Sequence, residues 1–248
     1  MHNITVMHKL LKMLNTPPGS ILNNLVSTRS SSLYSAQNLL SADNRTRCMS
    51  LLKSMSQIRM SADEPKERSA VLIPLCVVDN EVSLLYTVRS LNLTKHRGQV
   101  CFPGGKEDKS DASLEETALR ETEEELGISK NNIEVWGSGK SIIGRFPPSI
   151  LPVVGLIRDF ENLILNINET EVEKVFTVPL KDLCDCNNIG HTQFRYYSTP
   201  VYMAGEERIW GLTAMITHVF LNCLIPNNGY KYKLKFIRPL QKPLKASL

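Results

Sequence analysis

Residues 104–128 read GGKEDKSDASLEETALRETEEELGI, and this stretch decides the fold. Ser113 followed three residues later by Glu116 has the pattern of a capping box, which predicts a helix starting there. Gly127 is a residue suited to the left-handed turn that ends one. In the predicted helix, 113–126, Glu121, Glu124 and Glu125 stand at i, i+3 and i+4, so three carboxylates share one face. They crowd the C-terminal end, where the helix dipole disfavours each negative charge by ~0.3–1 kcal/mol and neighbouring carboxylates repel. Such a set is either solvated surface, the common case, or neutralised by a cation. The context favours the cation: a glycine pair, Gly104 and Gly105, follows a strand, and Arg120 directly precedes the first carboxylate. Hard oxygen ligands of this kind suit Mg²⁺ or Mn²⁺ held together with substrate phosphates, which points to a phosphate-bearing small molecule.

Upstream, two apolar runs, 70–78 and 82–88, flank the turn pair Asp79-Asn80 and read as a β-hairpin. Order is expected from about Ser69. Further short apolar runs at 133–136, 151–157, 163–167, 174–179 and 199–202 read as strands. A second helix is predicted over 212–224, after Trp210-Gly211, with Trp210, Leu212, Met215, Ile216, Val219 and Phe220 on a core-facing stripe. Many strands with few helices make this an α/β or α+β sandwich rather than a doubly wound sheet.

The chain has 248 residues, 42% of them hydrophobic and 22% charged, which fits one ordinary domain plus extra chain. That extra chain is at the front. Residues 1–62 hold eleven serines and seven Lys/Arg against Asp43 alone, so the formal charge of +4 originates there and the remainder is slightly negative. A near-neutral body lacks the basic stripe that binding a phosphate backbone requires, so no nucleic-acid partner is expected. No apolar run is long enough for a membrane span. The basic, serine-rich leader, with Ile4, Met7, Leu10, Leu11 and Leu14 at helical spacing, has the composition of a mitochondrial targeting segment and is expected to be largely disordered. Starts at Met49, Met55 or Met60 would remove it and leave a cytosolic protein. Six cysteines follow no zinc spacing and are read as reduced thiols. His191 and His218 are read as single structural histidines. Residues 227–248 are expected to form a tail.

Gly105, Asp111, Arg120-Glu121, Glu124-Glu125, Gly127 and Ile128 resemble the Nudix box. Its glycine-to-arginine spacing here is one residue longer than the general form, and Asp111 stands where glutamate is common. Just upstream, Arg89-Ser90, Gly98 and Phe102-Pro103-Gly104-Gly105 resemble the signature of the coenzyme A diphosphatase branch of that family. Tyr86 and Thr94 depart from it. Together with stretches at 171–180 and 209–214, the likeness covers about residues 70–224.

The resemblance implies a Nudix-type α/β/α sandwich with a mixed β-sheet and a loop-helix-loop catalytic motif over 69–226. It implies metal-dependent hydrolysis of the pyrophosphate link of coenzyme A or an acyl-coenzyme A, giving 3′,5′-ADP and the phosphopantetheine half. Glu121, Glu124 and Glu125 become the metal ligands, with one of them or a loop carboxylate as general base. Glu171 is the best downstream candidate among Glu169, Glu171 and Glu173. Arg120 would orient a glutamate through a two-pronged pair. Arg89, Lys95 and Arg97 form a basic cluster suited to the substrate phosphates. Gly104 and Gly105 would shape the loop, and Phe102 would wall the pocket or pack the core. Two other readings stay open: a Nudix hydrolase of another nucleoside diphosphate derivative, and a module that binds an acyl-coenzyme A without cleaving it. Residues 245–248 depart from a peroxisomal address. Whether the chain forms a homodimer is not legible.

Overall fold

The computed structural model describes residues 33–58, 67–143, 149–193, 198–226 and 229–234. The predicted hairpin is there: β1 (Arg68–Val78) and β2 (Glu81–Arg89) pair antiparallel around Asp79 and Asn80, both of which take positive φ. Their side chains alternate as a two-sided sheet requires. Ala70, Leu72 and Cys76 belong to one core cluster, whereas Ile73, Leu75, Leu84 and Tyr86 belong to the other.

Two short strands follow, β3 (Val100–Cys101) on β2 and β4 (Gly104–Lys106) on β1. The acidic helix, α3 by its place in the chain, spans Leu114–Leu126. Then come β5 (Ile133–Ser138), β6 (Ser149–Ile157) and β7 (Val172–Pro179). The main sheet runs β3-β2-β1-β6-β5, with β4 also on β1 and β7 also on β2. β1 and β6 run parallel and the other pairs antiparallel, so the sheet is mixed. Pro74 lies inside β1, where a missing N–H would ordinarily break a ladder. It is tolerated because β4 pairs only as far as Val71 and β2 starts only at Leu75.

After a short helix α4 (Leu180–Leu183), the hairpin β8 (Ile189–Gln193) and β9 (Ser198–Tyr202) forms a second small sheet and leads into α5 (Gly211–Leu224). α3 packs one face of the main sheet and α5 the other, giving helix, sheet and helix layers. Trp210 departs from the expected core stripe: it stands before α5 and is 38% exposed, while Met215, Ile216 and Phe220 are buried. No helix among the described residues is long and apolar enough to cross a membrane.

Three expectations need correction. The leader was expected to extend to residue 62, but α1 (Ala36–Leu39) and α2 (Ala42–Ser54) form within it, and Leu39, Cys48, Met49, Leu52 and Ile58 join the α5-side core. Ser41 caps α2 by accepting from the Asn44 N–H, and the buried positions 44, 48, 49 and 52 make a helical stripe that the polar composition concealed. The targeting stretch around residues 4–14 lies outside the described residues. The strand expected at 163–167 is absent; that segment caps α3 instead, as described below. Finally, 229–234 is core rather than tail, with Tyr230 and Leu234 buried. His218 is buried beneath it and has partners after all: its Nδ1 meets the Tyr230 hydroxyl at 2.7 Å, and that hydroxyl meets Tyr202 at 2.7 Å. All six cysteines are unpaired thiols.

Candidate active site

α3 begins where predicted, with the Ser113 hydroxyl accepting from the Glu116 N–H at 3.2 Å. The other half of the capping box is not made; the Glu116 carboxylate pairs with Lys130 at 3.1 Å. At the far end Gly127 takes φ +69°, and its N–H donates to the Glu123 carbonyl at 2.8 Å. A Cβ there would stand 2.7 Å from Asn166, so the loop can close onto the helix only over a glycine. The Asn166 and Asn168 N–H groups, each at 3.0 Å, donate to the carbonyls of Leu126 and Glu125. The apolar run that resembled a strand thus satisfies the exposed carbonyls at the helix end.

This closure brings Glu171 to the helix. Carboxylate oxygens of Glu121, Glu125 and Glu171 all lie within 4.8 Å of one another. Of the three downstream candidates, Glu169 and Glu173 are exposed and only Glu171 is half-buried. Glu124 stays outside the group despite sharing the helical face. Its carboxylate, 55% exposed, accepts from Arg120 Nη1 at 2.9 Å.

Arg120 organises the surroundings. Its Nε and Nη2 grip both oxygens of Asp111 at 2.8 and 3.0 Å, its Nη1 also donates to Glu121 at 3.1 Å, and Nη2 reaches the Lys106 carbonyl at 3.0 Å. The guanidinium holds the Asp111 carboxyl well below the usual range, helped by the Asp108 N–H and the Thr117 hydroxyl. Asp111, a member of the sequence motif, thereby anchors the arginine that steadies Glu121 and Glu124.

The turn ahead of the helix explains both glycines. Gly104 takes φ +146°, and a Cβ on it would meet the Ala70 carbonyl oxygen at 2.3 Å. Its N–H donates to Glu125 Oε2 at 3.3 Å. A Cβ on Gly105 would meet the Glu121 carboxyl carbon at 2.4 Å. Gly105→Ala should therefore displace the Glu121 carboxylate and lower kcat by about 10²-fold, with the protein still folded by circular dichroism, because a ligand moved by ~1 Å costs about that much.

Glu125 is 2% exposed. Burial pushes its carboxyl up to about 8; the Gly104 N–H and Arg89 oppose this, while Glu121 and Glu171 add to it. Burial also raises Glu121, against the pull of Arg120. One buried and two half-buried acids that repel one another, with hard oxygen donors within reach of one point, fit a divalent cation such as Mg²⁺ or Mn²⁺.

Arg89 ends β2, and its charge acts on the Glu125 carboxyl. Lys95 and Arg97 are exposed on the loop after Ser90, which His96 turns with φ +56°. Phe102 is not a pocket wall. It is 2% exposed and stacks on Tyr86 with ring centroids 4.8 Å apart, so it packs the core.

A model of the NUDIX domain matches residues 66–201. The chain is 39% identical over 194 residues to a mouse protein named mitochondrial coenzyme A diphosphatase NUDT8, spanning 75% of this chain and 90% of that one. The human protein of the same name is 40% identical over 193 residues, spanning 75% and 80% respectively. Nudix hydrolase 3 of Caenorhabditis elegans is 37% identical over 198 residues, covering 71% of this chain and 80% of its own.

Proposed function

The chain belongs to the NUDIX family and is a pyrophosphohydrolase, and from this premise we propose that it cleaves the pyrophosphate link of coenzyme A and its acyl derivatives. The products are 3′,5′-ADP and the free or acylated 4′-phosphopantetheine. The observation that carries the reaction class is the convergence of Glu121, Glu125 and Glu171. The substrate rests on the mouse and human relatives named coenzyme A diphosphatases and on Arg89, whose charge acts on the cluster.

Glu121, Glu125 and Glu171 would hold Mg²⁺ or Mn²⁺, which when bound cancels substrate charge and lowers the pKa of an attacking water. Arg120 keeps Glu121 and Glu124 oriented, and Asp111 keeps Arg120 oriented. Arg89, whose charge acts on Glu125, would meet a pyrophosphate oxygen, and Lys95 and Arg97, exposed on the loop after β2, would meet the 3′-phosphate. Lys9, Lys12 and Arg29 ahead of α1, with no acidic residue before Asp43, and the relatives' names support a mitochondrial location.

The test is a product assay of the full chain with free coenzyme A and Mg²⁺ or Mn²⁺. Appearance of 3′,5′-ADP supports the reading; intact coenzyme A with cleavage of NADH or a nucleotide sugar overturns the substrate. If Lys95 and Arg97 meet the 3′-phosphate, replacing both with Ala should raise KM for coenzyme A by about tenfold or more, as expected for two charge-assisted contacts. KM for dephospho-coenzyme A should barely move.

Glu125 predicts a pH dependence. Its folded-state pKa of about 8 lies above the ordinary 4.5, so between those values the unfolded chain has lost a proton that the metal-free folded chain keeps. The stability of the metal-free protein therefore declines through this group as pH rises across that window, and the effect is constant above it. Glu125 must shed the same proton to hold a cation. Affinity for Mn²⁺, measured by calorimetry, should thus rise with pH by up to about tenfold per unit and level off above about pH 8.

A further inference from the structure

Glu171 sits on a loop, yet its carboxylate reaches the same point as two carboxylates fixed on a helix. A loop residue can match that only if its backbone is already ordered, because ordering it on binding would subtract from affinity. Asn168 is where the order originates. Its N–H donates to the Glu125 carbonyl at 3.0 Å, and its own carbonyl accepts from the N–H groups of Glu171 and Val172, each at 2.9 Å. Its side-chain Oδ1 accepts from the Thr170 N–H at 3.2 Å and the Thr170 hydroxyl at 2.6 Å. On the far side, the Glu171 carbonyl accepts from the Ser90 N–H at 2.8 Å, which fixes that end to the residue following β2. One residue thus joins the main chain carrying Glu125 to the main chain carrying Glu171.

We propose that Asn168 is a positioning residue for the divalent-cation site: its amide oxygen closes the 168–170 turn and presets Glu171 against Glu121 and Glu125. The proposal rests on the metal reading above. A short side chain with an oxygen at this distance from its own backbone closes such a turn, which favours Asn or Asp, with Ser and Thr closing it more weakly.

The test is Mn²⁺ binding to the full chain without substrate, read from the electron paramagnetic resonance of free Mn²⁺, beside thermal unfolding of the metal-free protein. Asn168→Ala removes Oδ1 and leaves the backbone contacts. Its Mn²⁺ dissociation constant should rise about three- to tenfold, the worth of a side-chain hydrogen bond or two. Its unfolding midpoint should fall by no more than roughly 2–4 °C, and the Mn²⁺ needed for half-maximal hydrolysis should rise in step while kcat at saturating Mn²⁺ recovers. Asn168→Asp keeps the acceptor and should bind within about twofold of the unaltered chain, or more tightly. Glu171→Gln serves as the control and should weaken Mn²⁺ binding more than Asn168→Ala does. If Glu171→Gln weakens binding and Asn168→Ala does not, the positioning role is overturned and the three-carboxylate site stands. If neither does, the site itself is wrong and the role falls with it. An unfolding midpoint lowered beyond that range in Asn168→Ala, with no rescue of binding by Asp, makes the residue merely structural and also overturns the proposal.

Discussion

A chain starting at residue 63 should fail to fold, whereas one starting at residue 33 should unfold cooperatively at close to the midpoint of the full chain. The domain model begins at residue 66, so residue 63 is the natural place to cut. Yet α1, α2 and the segment to Ile58 bury Leu39, Cys48, Met49, Leu52 and Ile58 against α5 and the sheet. Each large apolar side chain of this kind is worth ~1.5–3 kcal/mol, so the set rivals the ~5–15 kcal/mol that holds a whole domain together. Polar contacts add to the loss. Asn44 Nδ2 and Arg47 Nη2 donate to the last α5 carbonyl, Leu224, at 3.1 and 2.7 Å. Arg45 pairs with Glu134 and lies over the Trp136 ring. Soluble yield and thermal unfolding of the two truncations check this. Equal midpoints would show that the segment contributes nothing. Within the full chain, Leu52→Ala alone should cost ~2–5 kcal/mol. Translation from Met49 or Met55 would remove the cap and the first half or more of α2, so such a product should behave like the shorter truncation.

Glu125→Gln should lower kcat by about 10³-fold, roughly 4 kcal/mol, because it removes a charge at the most buried point of the trio, where metal-based charge stabilisation is worth several kcal/mol. The same change should leave the metal-free protein at least as stable. It removes a buried carboxyl that two neighbouring acids disfavour, and the Gly104 N–H keeps an amide oxygen to bond. An unfolding midpoint unchanged or higher by roughly 2–4 °C, together with the lost turnover, is the expected pair of results. Full activity in the variant would remove Glu125 from the chemistry. A lower midpoint would mean that the residue is structural.

How much of this was legible depended on whether a signal was local. α3 could be read to within a residue because Ser113 and Gly127 act on their own neighbours. The β1–β2 hairpin could be read because alternation and Asp79-Asn80 are adjacent in the chain. The N-terminal helices could not, because their buried stripe is spread among serines and basic residues and acquires meaning only against α5, far away in the sequence. The run at 163–167 has strand-like apolar content, but its amides are spent on a helix end, which no periodicity reveals. In the site, helical spacing correctly put Glu121, Glu124 and Glu125 on one face. It could not foresee that Glu124 would lie on the exposed side of the shared Arg120 contact while Glu171 joined the other two. Nor could it choose Glu171 from three alternating acids; burial made the choice.

The N-terminal clamp also sets the order in which the molecule can be completed. α2 comes ahead of the sheet in the chain, but the carbonyl that Asn44 and Arg47 grip lies 180 and 177 residues later. Contacts of such long range form late, since the intervening chain must be closed into a loop first. During synthesis the clamp has nothing to hold, and the domain stays open until its last helix has emerged. Until then the apolar stripe of α2 stays exposed, the kind of surface that chaperones engage.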